Sequence, residues 1–98
     1  MLWYCRFRWH THTRADDVRR RVLEQHEAGT NKPNKIRAWY NLAGGGSGFL
    51  LIEADNAQEV TDILQPYMDL VSWNVHACYE LSYQQAIEGF RKQLQVLA

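Results

Sequence analysis

At 98 residues, with 46% hydrophobic and 22% charged side chains, the chain can build one domain around one core and is too apolar to be disordered. Eleven Lys and Arg balance eleven Asp and Glu, so the formal charge is zero. That excludes general polyanion binding driven by a basic excess, and it leaves self-association unopposed by charge.

Residues 2–10 read as a first strand. Trp3, Cys5, Phe7 and Trp9 form an apolar parity; Leu2, Tyr4, Arg6, Arg8 and His10 form the other. The arginines interrupt any apolar run, so this terminus predicts neither a signal peptide nor a membrane span. Thr13 followed by Asp16 fits a capping box for a helix running to about Ala28. Ala15, Val18, Val22 and Leu23 supply its buried stripe, and Gly29 is placed to end it. Arg19, Arg20 and Arg21 fall on the outer side, with Asp16–Arg20 and Asp17–Arg21 at ion-pair spacing.

Residues 30–34 form a loop, and residues 35–55 a long hairpin. Ile36, Ala38, Tyr40 and Leu42 alternate with Arg37, Trp39 and Asn41. Past the Gly44–Gly48 turn, Leu50, Ile52 and Ala54 alternate with Phe49, Leu51 and Glu53. The first parity of each strand predicts a helix-covered face, the second a functional face. Asn56 caps a second helix with Glu59 completing the box, and Pro66 should end or kink it. Residues 71–80 form a fourth strand, with Ser72, Asn74, His76, Cys78 and Glu80 opposite Val71, Trp73, Val75, Ala77 and Tyr79. A last helix spans about 83–96, with Tyr83, Ile87, Phe90 and Leu94 on one face.

The order β-α-β-β-α-β plus a C-terminal helix predicts an α+β, ferredoxin-like antiparallel sheet with two helices on one face. The other face carries Leu2, Tyr4, Trp39, Phe49 and Leu51, too apolar to stay in water. A second copy of the sheet is the simplest cover, so a homodimer is expected. Cys5 and Cys78 fall on opposite faces, which predicts two free thiols and a cytoplasmic, reducing location.

Residues 34–81 resemble a bacterial family of unknown function, the domain-of-unknown-function 3303 family, within the dimeric α+β barrel superfamily. The likeness rests on a small-residue turn, Gly48-Phe49, Glu53, Asp55, then Tyr67, Asp69 and Leu70. It implies a ferredoxin-like protomer whose sheets pair into a barrel. Superfamily members include cofactor-free monooxygenases, haem-degrading monooxygenases and small isomerases, with sites between sheet and helices or inside the barrel. None of their catalytic motifs transfers residue by residue.

Glu53 ends an apolar strand, so it needs a partner or a raised pKa; Arg6, Arg8 and Arg37 share its predicted face. It is a candidate general base, against the plainer reading of a structural ion pair. His76 is a candidate acid or base near neutrality, against an interface histidine. Arg6 and Arg8 suit an anion or oxyanion. Trp39, Asn41 and Asn74 suit ligand positioning, and Trp39 suits the filling of a dimer core equally well. No compact ligand cluster predicts a metal, and no cofactor is implied. The glycine turn lacks a P-loop Lys-Ser/Thr and leads into a strand. An RNA-recognition reading fails on Gly45 and Ser47, which stand where a basic residue and an aromatic are needed. The expected function is binding of a small organic ligand in a barrel cavity, with cofactor-free acid–base or monooxygenase-type chemistry open. The rival is a non-catalytic dimerisation or protein-interaction module.

Overall fold

The strands and helices follow in the order β1 (Leu2–Trp9), α1 (Ala15–Glu27), β2 (Ile36–Asn41), β3 (Ser47–Glu53), α2 (Ala57–Leu64), β4 (Val71–Cys78) and α3 (Tyr83–Leu97) in a computed structural model that describes residues 1–97. The four strands form one antiparallel sheet in the order β2-β3-β1-β4. Each βαβ pair is split by an intervening antiparallel strand, which is the ferredoxin-like topology.

Three strands keep the alternation of their sequences. Cys5 and Phe7 of β1, Leu50 and Ile52 of β3, and Val71 of β4 are buried on one face. Behind them α2 contributes Val60, Ile63 and Leu64. The helix starts at Asn56, whose side chain accepts from the Glu59 N–H at 3.0 Å. The Glu59 carboxylate reaches back one residue further than expected, to the Asp55 N–H at 3.0 Å. Backbone donation from Asp55, then the Lys35 ammonium, holds the Glu59 carboxyl below its ordinary range. Pro66 ends the regular helix: residues 65–67 continue only as a tight turn.

β2 departs from its alternation. Ile36 pairs with Ile52, but Ala38 pairs with Leu51, so two steps on β2 answer one on β3. Arg37 is the extra residue of a bulge, and one extra residue exchanges the faces of everything after it. Trp39, opposite Leu50, therefore faces the helices. Tyr40 lies opposite Phe49, with stacked rings 5.1 Å apart on the other face. The expected assignment of Trp39 and Asn41 to the face of Glu53 is corrected accordingly.

Gly44, Gly45 and Gly46 all take positive φ in the hairpin turn. Gly48 is needed for a different reason. A Cβ there would lie 2.2 Å from the Tyr40 carbonyl oxygen and 2.6 Å from the Phe7 ring.

α1 is the loose element. Its cap is Arg14, one residue after the expected Thr13, with the Arg14 N–H donating to Asp17 at 3.3 Å. Thr13 instead donates to the Leu70 carbonyl at 2.7 Å. The intrahelical ion pairs are three residues apart, Asp16–Arg19 and Asp17–Arg20, not four. No α1 residue is fully buried: Ala15, Val18 and Val22 of the expected stripe are half-buried, Val18 against a core cluster, and Leu23 is 61% exposed. Among the described side chains α3 adds none to either core cluster; Phe90 and Leu94 are 57% and 66% exposed. The radius of gyration is 17.3 Å over a 57 Å long axis, against about 13 Å for a compact chain of this size.

Candidate functional site

Because α1 stands off the sheet, a cleft of about 380 Å³ lies beneath it. Phe7, Trp9, Leu50 and Trp73 form its floor, Val18, Val22 and Leu23 of α1 its roof, and Ile36 and Trp39 its rim on the edge strand. Its walls are overwhelmingly apolar. Phe7 and Trp73 meet edge to face, centroids 5.8 Å apart.

A polar clasp holds α1 at this height. Arg21 donates two hydrogen bonds to the Asp69 carboxylate, at 2.7 and 3.0 Å, and a third to the Pro66 carbonyl. The Tyr67 hydroxyl donates to the Asn31 side-chain oxygen, and Asn31 donates to the Val22 carbonyl at 3.1 Å. Burial pushes the Tyr67 phenol up; the Asn31 hydrogen bond and the nearby guanidinium partly oppose this. The Arg21 hydrogen bond holds the Asp69 carboxyl below its usual range. Tyr67 and Asn31 line the cleft, but their facing polar groups are engaged with one another.

The indole N–H groups divide. Trp3 donates to the Ala54 carbonyl at 3.3 Å and Trp39 to the Asn41 side chain at 2.9 Å. Trp73 Nε1 is buried without a partner, alone in this among the side-chain atoms of the described residues. Buried donors are nearly always paired, so this one stands out.

The residues singled out from the sequence lie elsewhere. Glu53, Arg6, Arg8, Asn74 and His76 share the opposite face of the sheet, in cross-strand rows with Leu2, Tyr4 and Ser72. Glu53 is paired with the amino terminus of Met1 at 3.0 Å, and none of its recorded ion pairs is with an arginine. Two strand spacings separate it from His76, placing their backbones roughly 10–12 Å apart. Trp39 and Asn41, hydrogen-bonded to each other, belong to the cleft side. The cleft is thus across the sheet from Glu53, in the first of the two places the family resemblance implied, between sheet and helices, and away from the residues singled out as the site. Trp73, Val22, Tyr67 and Asn31 were missed because each passes for core or loop. The signal was the ring-rich parity of Trp3, Trp9 and Trp73, bulkier than the thin stripe of α1 can cover.

No helix among the described residues is long and apolar enough to cross a membrane. A search of curated proteins finds no significant match. Residues 1–92 match the model of the family described as a domain of unknown function (DUF3303), and the chain belongs to that family.

Proposed function

We propose that this protein binds a small, largely apolar organic molecule in the cleft between α1 and the sheet. The observation that carries this reading is the cleft itself. Its volume of about 380 Å³ falls within the range of small-molecule sites, and the rings of Phe7, Trp9, Trp39, Tyr67 and Trp73 line it beside aliphatic side chains. The neighbouring clasp, Arg21–Asp69 and Tyr67–Asn31, keeps it open rather than letting α1 collapse onto the core. Titration with tetralin, followed by methyl NMR, tests the reading. Shifts are expected at Val18, Val22, Leu50 and Ile63, and Val22→Phe should weaken binding at least about tenfold by filling the space. Tetralin shifts confined to Leu2 and Leu51, or no saturable shifts, refute it.

A second reading concerns the opposite face. Tyr4, Phe49 and Tyr40 form a ring cluster there, with centroid separations of 5.2 and 5.1 Å, and neither core helix lies behind it. A second copy of the chain is the proposed cover, because Arg6 and Arg8 occupy one end of this face and Glu53 the other. In such a homodimer Glu53, His76, Asn74, Arg6 and Arg8 would line the space between sheets, where acid–base chemistry becomes feasible. Sedimentation velocity checks this: a dimer is expected, and Leu51→Glu should return it to single chains. A wild-type protein that stays a single chain at high concentration removes the reading.

A further inference from the structure

The cleft has one buried polar atom without a partner, and it points to a class of ligand. Trp73 lines the floor, and its Nε1–H is buried with no acceptor. Leaving such a donor unpaired costs the desolvation it underwent, and a ligand oxygen can recover that cost. Trp9 and His26 also line the cleft, but two of its other polar side chains are already engaged. Trp39 donates to Asn41, and Tyr67 donates to Asn31. No Lys or Arg lines the cleft, so a carboxylate or phosphate would find at most the His26 imidazole to meet it.

We infer that the cleft selects an uncharged, ring-containing molecule bearing a hydrogen-bond acceptor, of the ketone or quinone type, whose oxygen accepts from Trp73 Nε1. The inference rests on the cleft being a ligand site. In the present conformation Nε1 is closed to solvent, so the acceptor reaches it as the indole turns toward the bound molecule.

The test compares tetralone with tetralin, which share a ring skeleton and differ by one carbonyl. In two-dimensional nitrogen–proton NMR spectra the four Trp residues report separately through their indole N–H signals. Tetralone should move the Trp73 indole signal downfield, tetralin should not, and the Trp3 signal should hold still with both. The preference for tetralone over tetralin should fall about tenfold in Trp73→Phe, the value of one recovered hydrogen bond. Taking this as a ratio of ratios cancels the different water affinities of the two probes. The wild-type NMR result stands by itself if the variant folds poorly. Equal binding of both probes with a silent Trp73 N–H overturns the inference and leaves the cleft as an apolar site. Failure of both probes to bind overturns the cleft reading and the inference with it.

Discussion

Arg21 and Asp69, 48 positions apart, meet in a two-pronged ion pair that ties the middle of α1 to the turn before β4. The planar guanidinium matches the carboxylate with two parallel N–H bonds, a geometry that lysine cannot reproduce. Through this pair the height of α1 over the sheet, and so the cleft, depends on a charge interaction as well as on Val18 against the core.

Arg21→Met keeps the aliphatic stem and removes the clasp. The expected result is faster amide exchange across α1 with little change in β3, whose core neighbours are on α2. Hydrogen-exchange mass spectrometry reads this directly. Uniform exchange changes over the whole chain would mean that α1 is not a separately held element.

The same pair sets a pH dependence. The Asp69 carboxyl titrates lower folded than unfolded because Arg21 hydrogen-bonds its charged form, and the Glu59 carboxyl does so chiefly through the Asp55 N–H. Both therefore add stability above the ordinary carboxylate values of about 3.9 and 4.3, which is lost as pH falls through the lower folded values. Melting temperature should fall as pH drops from about 5 toward 2, and less steeply in Asp69→Asn. An identical slope in that variant would remove Asp69 from the account.

Gly48→Ala places a methyl group against the Tyr40 carbonyl and the Phe7 ring, at separations no relaxed Cβ contact shows. Both neighbours are held, one as backbone and the other in the core. The loss should be about 1–3 kcal/mol in urea unfolding, the usual cost of overpacking. Gly45→Ala meets no neighbouring atom and should be limited to the strain of its positive φ.

Asn56→Ala removes the acceptor for the Glu59 N–H at the start of α2. The expected loss is about 1 kcal/mol, with Asn56→Asp close to wild type because its carboxylate caps equally well. Equal destabilisation by both substitutions would point to a role for Asn56 other than capping.

The two thiols should react at very different rates. Cys5 is fully buried, and burial pushes its thiol up to about 12, with Cys78 adding to the shift. Cys78 is only half-buried, on the other face of the sheet. Iodoacetamide at mildly alkaline pH should label Cys78 first and Cys5 only with unfolding. The raised thiol also supports the fold below about 8.5, and that contribution is lost as pH rises toward 12.

Alternation alone was enough to place β1, β3 and β4 and the face each presents, because a strand buried on one side must repeat every second residue. The caps and breakers Asn56, Gly29 and Pro66 likewise mark helix ends through local hydrogen-bond and steric rules. Only the folded chain decided the rest. The bulge at Arg37 arises from how β2 pairs with β3, and it carried Trp39 and Asn41 across the sheet from Glu53. The cleft exists because α1 is held by residues far away in sequence, Asp69, Pro66 and Tyr67, as well as by its half-buried apolar stripe. Local pattern records which residues prefer burial; it does not record how far apart two packed layers come to rest.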